Sequence, residues 1–156
     1  MHNANSDEHD EYGFSSDLAS VRIKMMDKRM QKLDTLAKEL PLPKLYGDKE
    51  APTTIVSWGS TKGPLLAALE LLQKEGKKLK FLQIVNLSPF PVKYVSEVLE
   101  NSRQVILVEN NKTGQLGDLI REQTGIKIEQ RILKYDGRQF YPEELFLKIK
   151  EVLKDA

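Results

Sequence analysis

Apolar, β-rich runs at 53–58, 79–86, 104–109 and 127–135 are separated by stretches with helical spacing at 65–75, 92–100 and 114–123, and a last such stretch follows at 142–153. Parallel neighbours cannot be joined by tight turns. Strand, crossover helix and strand, repeated in this way, therefore predict a mostly parallel sheet with helices packed over it. The runs at 53–58 and 104–109 are apolar almost throughout, as central strands covered on both faces should be. Gly59, Gly76 and Gly125 close successive segments, and Pro142 stands at the first turn of the last helix. A short edge strand is expected at 44–46, just before Gly47.

Ahead of this pattern, Val21, Met25, Met30, Leu33, Ala37 and Leu40 recur at spacings of three to five, interleaved with Arg22, Lys24, Lys28, Arg29 and Lys32. The spacing predicts an amphipathic helix over 21–40 that ends at Pro41 and Pro43. Its apolar stripe must pack on the sheet domain, pair with another copy or fray. Residues 1–20 carry Asp7, Glu8, Asp10 and Glu11 with few apolar anchors and read as a flexible lead-in. The expected organisation is thus an acidic lead-in and linker helix over 1–43, then one α/β domain over 44–156.

Composition excludes several classes of function. The balance of 24 Lys and Arg against 23 Asp and Glu removes the electrostatic reason to expect a nucleic-acid or membrane-surface partner. With no cysteine there is no disulfide, no thiolate nucleophile and no cysteine-ligated zinc or iron–sulfur site. The apolar runs fall far short of the roughly 20 residues that span a bilayer. The first residues are polar and acidic, unlike a signal peptide, so the expected location is cytoplasmic.

Ligand sites of such sheets lie beyond the carboxyl ends of the strands. Three loops there stand out. In the first, Gly59, Ser60, Thr61, Lys62 and Gly63 lead into a helix whose amides suit a phosphate, although the sequence is no Walker A loop. Architecture alone also accounts for it, with Gly59 in a tight turn, Ser60 or Thr61 as helix cap and Pro64 in the first turn. In the second, the polar residues Glu109, Asn110, Asn111, Lys112 and Thr113 follow directly on a buried strand and precede Gly114 and Gly117. Thr113 suits an N-cap. Glu109, at the end of a buried strand, needs a hydrogen-bonding partner across the loop cluster or across a subunit interface. In the third, at 86–91, Phe90 is either a contact surface or an anchor on the domain's own core.

No catalytic constellation is visible. His2 and His9 lie in the lead-in, so no Ser/His/Asp arrangement and no metal centre is expected in the folded part. Glu143 and Glu144 suit the start of a helix, where carboxylates favour its dipole.

Taken together, several segments resemble one family. The stretch from Glu8 to Gly13, the run Arg22-Ile23-Lys24-Met25-Met26-Asp27-Lys28-Arg29, and the segments IVSWGSTKGP at 55–64, FLQIVNLSPFP at 81–91, VENNKTGQL at 108–116 and LKYDGR at 133–138 are similar to the alpha chains of 2-oxoacid:ferredoxin oxidoreductases. The first two resemble the linker that follows the pyrimidine-binding domain, and the others the C-terminal domain. The resemblance implies a transketolase C-terminal-like fold, a three-layer α/β domain with a five-stranded, mostly parallel sheet and one antiparallel edge strand. It implies oxidative decarboxylation of a 2-oxoacid such as pyruvate or 2-oxoglutarate by a whole complex, with thiamine diphosphate, coenzyme A and transfer of electrons through iron–sulfur clusters to ferredoxin.

The family's working parts do not map onto this chain. No Gly-Asp-Gly segment for magnesium and diphosphate and no cluster cysteines occur. Thiamine diphosphate, magnesium and iron–sulfur clusters are therefore expected elsewhere in the complex, with the beta subunit among the partners. The chain reads as a fragment or split subunit, an assembly domain that catalyses nothing alone. The alternative is a stand-alone nucleotide- or phosphate-binding module using 59–64 and 109–117.

Overall fold

The computed structural model describes residues 7–154, so His2 and the start of the acidic lead-in lie outside the described residues. Two compact units are present, Met1–Pro41 and Leu42–Ala156.

In the first unit, strands β1 (Glu8–His9) and β2 (Ser15–Ser16) pair antiparallel, and helix α1 spans Ala19–Glu39. The lead-in differs from its expectation here because its acids act as acceptors. Asp10 Oδ1 accepts the amides of Tyr12 and Phe14, which closes the hairpin turn over Gly13 at φ 90°. Glu8 accepts a bidentate pair from the Arg29 guanidinium at 2.6 and 2.7 Å and a longer contact from Arg22 at 3.4 Å. That hydrogen bond from Arg29, first among several causes, holds the Glu8 carboxyl at a pKa of about 2. The helix stripe also needs correction. Met25 is buried and Val21 half-buried, while Met30, Leu33 and Ala37 lie exposed together with Ile23 and Met26. The expected stripe merged two faces of α1, whose contacts within this unit are with β1.

The second unit runs β3 (Lys44–Gly47), β4 (Thr53–Trp58), a 3₁₀ turn at Gly59–Thr61, α2 (Lys62–Lys74), β5 (Leu79–Ile84), α3 (Val92–Glu100), β6 (Gln104–Glu109), α4 (Gln115–Thr124), β7 (Gln130–Leu133) and α5 (Pro142–Lys154). The sheet order is β3-β5-β4-β6-β7, parallel throughout except for β3, which runs antiparallel to β5. This is the expected five-stranded, mostly parallel architecture with one antiparallel edge.

Strand alternation sorts the core into two halves. Ile55, Phe81 and Ile106 share one face of the sheet with Leu65, Ala68 and Leu72 of α2 and Leu145 and Ile149 of α5. Val56, Leu82 and Leu107 share the other with Val95 and Leu99 of α3 and Leu116 and Ile120 of α4. Helices therefore cover both faces, giving three layers.

Strand β7 is shorter than the expected 127–135. Its ladder with β6 holds only the pairs from Ile106–Gln130 to Glu109–Leu133, because β6 ends at Glu109. Ile126 and Ile128 still join the core, which produced the alternating signal upstream of the ladder. Among the described residues no helix is long and apolar enough to cross a membrane.

Candidate functional site

The crossover from β4 leads to β5 on one side, whereas that from β6 leads to β7 on the other. The carboxyl ends of β4 and β6 are thus adjacent at the point where the chain reverses direction, the usual place for a ligand crevice in an open α/β sheet. The loops at 59–64 and 109–117 meet here, on the same edge of the sheet.

What fills the crevice is protein. Glu109, fully buried, accepts hydrogen bonds from Trp58 Nε1 at 3.0 Å and Asn111 Nδ2 at 2.9 Å. Its carboxylate also accepts the amides of Leu116 at 2.9 Å and Gly117 at 3.3 Å. Asn111 Oδ1 accepts the amides of Gly114 at 2.6 Å and Gln115 at 3.3 Å. The first amides of a helix have no intrahelical partner and normally offer an anion its binding site. At α4 the carboxylate of the preceding strand and the Asn111 side chain have taken them.

This arrangement corrects the expected Thr113 cap. Gly114 is the N-cap residue, at φ 74°, and the Thr113 side chain is exposed. The carbonyl of Thr113 instead accepts Arg131 Nη1 at 3.0 Å, and Arg131 also pairs with Asp118. Gly114 and Gly117 permit the close approach of α4 to β6, since a Cβ on Gly117 would lie 2.7 Å from Leu107 Cδ2.

The first loop is likewise tied to the strands. Ser57 Oγ donates to the Val108 carbonyl at 2.5 Å and Thr61 Oγ1 to the Trp58 carbonyl at 2.6 Å, and the two hydroxyls face one another. Neither Ser60 nor Thr61 caps α2 through its side chain. Thr61 is engaged with the strand end, and Pro64 has no amide to offer. Lys62 lies half-buried with Nζ 5.4 Å from the Tyr46 ring. Gly59, Ser60 and Gly63 are exposed, as are Asn110 and Lys112. Phe90 is half-buried and packs against the core beneath α3 and α4, so its apolar ring has a structural use.

A segment not singled out as a site completes this edge. Lys134, Tyr135, Gly137, Arg138 and Gln139 line an open cleft of about 450 Å³ with Ser60 and Asn110. Asn110 Nδ2 donates to the Arg138 carbonyl at 3.4 Å, linking the second loop to this turn. Lys134 bridges Glu144 at 2.7 Å and Asp136 at 3.6 Å, and the hydrogen bond it donates to Glu144 raises its pKa. The Arg138 amide, donating to Asp136 Oδ1, lowers that carboxyl. The sequence signal was the turn Asp136-Gly137 flanked by two basic residues. Its position at the shared edge was not readable until the strand order was known.

Similarity to known proteins covers both units, and the family match lies within the second. Residues 51–145 match the family described as pyruvate:ferredoxin oxidoreductase core domain II. Over 149 residues, 94% of this chain and 23% of the relative, the sequence is 42% identical to 2-oxoacid:ferredoxin oxidoreductase 2, subunit alpha, of Aeropyrum pernix. The chain thus spans about a quarter of the length of the curated relatives it matches. The solved 2-oxoglutarate:ferredoxin oxidoreductase from Magnetococcus marinus, with 2-oxoglutarate, coenzyme A and succinyl-CoA bound, superposes with a TM-score of 0.80 at 31% identity, covering 97% of this chain and 26% of that one. The alpha chain of a probable 2-oxoacid ferredoxin oxidoreductase from Thermoplasma acidophilum is 42% identical with a TM-score of 0.52, covering 72% of this chain and 97% of that one. By the matched domain and by these relatives, the chain belongs to the pyruvate:ferredoxin oxidoreductase core domain II family, in the form carried by alpha subunits of 2-oxoacid:ferredoxin oxidoreductases.

Proposed function

We propose that this chain is an assembly domain of a thiamine-dependent 2-oxoacid:ferredoxin oxidoreductase alpha subunit and that it has no turnover of its own. The observation carrying this reading is the buried Glu109, which spends the α4 amides on the protein itself where a phosphate or nucleotide would otherwise sit. The residues present do not fit the family's cofactors. There is no cysteine to ligate a cluster, and among the described residues no group of three metal-ligating side chains occurs. Thiamine diphosphate, magnesium, iron–sulfur clusters and coenzyme A belong to other parts of a cytoplasmic complex that includes the beta subunit and delivers electrons to ferredoxin.

Activity and binding measurements test this. The purified chain should not reduce a viologen dye with pyruvate or 2-oxoglutarate in the presence of coenzyme A. Titration with thiamine diphosphate, ATP or inorganic phosphate in a calorimeter should give no saturable heat. Turnover, or saturable nucleotide binding lost on Ser60→Asp substitution, would overturn the reading in favour of a stand-alone binding module.

A further inference from the structure

Chemical lability concentrates at one bond of this chain. Asp136–Gly137 is the sole place in the sequence where glycine follows an aspartate or an asparagine, and it lies in the exposed turn that borders the open cleft at the carboxyl edge of the sheet. Glycine has no Cβ to hinder its own amide nitrogen. A Cβ built at Gly137 would meet no atom within 4 Å, so the turn is open on that side.

An amide nitrogen in this position can close on the preceding side chain. Attack of Gly137 N on Asp136 Cγ forms an N–C bond while the N–H proton is lost and the carboxyl C–OH bond breaks, so that one water leaves and a five-membered imide results. Water then opens the imide at either carbonyl. One opening restores aspartate, and the other routes the backbone through Cγ as isoaspartate, with one extra carbon in the chain. No reactant besides water takes part.

Two features of the turn oppose the first step. Asp136 Oδ1 accepts the Arg138 amide at 3.0 Å, which ties the carboxyl to the residue after Gly137, whereas closure needs its carbon to swing onto the Gly137 nitrogen. Lys134 Nζ stands 3.6 Å from Asp136 Oδ2. Its side chain, only 12% exposed, is fixed by the 2.7 Å bond to Glu144 of α5, which Lys148 also approaches at 3.8 Å. The Arg138 amide first, and then the Lys134 charge, favour the ionised carboxyl. An ionised carboxyl is a poor electrophile, because it has no hydroxyl to release.

We propose that Asp136–Gly137 is a latent isoaspartate site and that Lys134 and the Arg138 amide together guard it against ring closure. Isomerisation would lengthen the turn and loosen the contact of Asn110 Nδ2 with the Arg138 carbonyl, so the guard preserves the shape of this edge. The proposal is independent of the proposed function, because it rests on this turn alone.

Prolonged incubation of the intact chain at mildly acidic pH, warm but below its unfolding transition, tests it. Isoaspartate is read by labelling with an isoaspartyl methyltransferase and by mass spectrometry of the fragment carrying residues 134–139, with a synthetic peptide of residues 133–140 as the unfolded reference. The folded chain should accumulate isoaspartate several-fold more slowly than the peptide. Lys134→Gln, which keeps a donor for Glu144 but removes the charge beside Asp136, should accelerate accumulation several-fold with circular dichroism unchanged, whereas Lys134→Arg should stay slow. Gly137→Ala should abolish most of the signal, which assigns it to this bond. Equal rates in the folded chain and the peptide overturn the proposal even if Lys134→Gln fails to fold. A folded Lys134→Gln protein that isomerises no faster than its parent overturns it too, as does isoaspartate that collects first at another residue.

Discussion

Trp58 Nε1 donates to Glu109 Oε1 at 3.0 Å, joining the last residues of two adjacent parallel strands. Because the same carboxylate also holds the amides of Leu116 and Gly117, the ring nitrogen, the sheet edge and the start of α4 form one connected unit.

Glu109→Ala should therefore be severely destabilising. It leaves the buried amides of Leu116 and Gly117, the indole N–H and the Asn111 side-chain amide without their acceptor, at a cost of about 3 kcal/mol or more. Trp58→Phe removes one of these bonds and should cost about 1 kcal/mol for the bond, plus any loss of packing. Urea unfolding of both single variants and the double variant gives the coupling directly. Costs that simply add would mean that the indole and the carboxylate are not energetically linked.

Gly117→Ala opposes two tendencies. Alanine is the better helix former by about 1 kcal/mol, but its Cβ would sit 2.7 Å from Leu107 Cδ2, and Leu107 is fully buried. Overpacking of a closed core costs about 1 to 3 kcal/mol, so a net loss in thermal or urea stability is expected. Adding Leu107→Ala should make the pair less destabilised than the sum of the single changes. A Gly117→Ala protein more stable than its parent would show that the α4 and β6 contact has room that the geometry denies.

How far this could be read from the sequence depends on the range of the interaction. Strands β4 and β6 and helix α3 fall on the residues expected, because burial on both faces and local helix spacing are recorded in adjacent side chains. The need of Glu109 for a partner was also legible, since a carboxylate at the end of an apolar strand has no other way to be buried. The choice of partner was not. Trp58 lies 51 positions away, and the side chain that accepts the amides of Leu116 and Gly117 belongs to the residue that ends the preceding strand, whereas sequence rules look for such an acceptor immediately before the helix. Met25 shows the same limit. Its spacing from Val21 and Met30 fits a helical stripe, yet it is buried while Met30, Leu33 and Ala37 are exposed, so it belongs to a different face of α1.

Acid should loosen the first unit within a defined window. Glu8 has an ordinary pKa of 4.5, lowered to about 2 by the Arg29 hydrogen bond in the folded protein. A group whose folded value is depressed contributes its full stabilisation above the unfolded value and loses it as pH falls through the folded one. Glu11, lowered by its bond to Lys24, acts in the same direction. Amide exchange in the hairpin should thus be insensitive to these carboxyls between about pH 5 and 7 and accelerate, after correction for intrinsic rates, as pH drops from 4.5 toward 2. Glu8→Gln should remove most of that dependence. If the corrected hairpin protection of the unsubstituted chain did not change across the window, the Glu8 and Arg29 pair would not be what holds β1 to α1.

The antiparallel edge strand depends on one glycine more sharply than any other turn in the second unit. Gly47, at φ 82°, ends β3 opposite Lys80, and a Cβ there would lie 2.5 Å from the Leu79 carbonyl oxygen. That oxygen is backbone in a buried strand and cannot swing aside. It also accepts the Asp48 amide at 3.1 Å, and the Asp48 carbonyl in turn accepts the amide of buried Ala51, two residues before β4, at 2.9 Å. Gly76 is a fair control, since its φ is 75° but a Cβ there would meet no atom within 4 Å. Gly76→Ala should carry only the backbone strain of a left-handed residue, about 1 kcal/mol, whereas Gly47→Ala should lose roughly 3 kcal/mol or more. Hydrogen exchange should localise the damage. Amides of 44–47 and the Asp48 turn should lose protection in Gly47→Ala while those of β4 and β6 keep theirs, because the central strands are held on both sides by parallel neighbours. Equal losses from the two substitutions would mean that strain alone decides, and that β3 can shift from β5 far enough to admit a methyl group at no further cost.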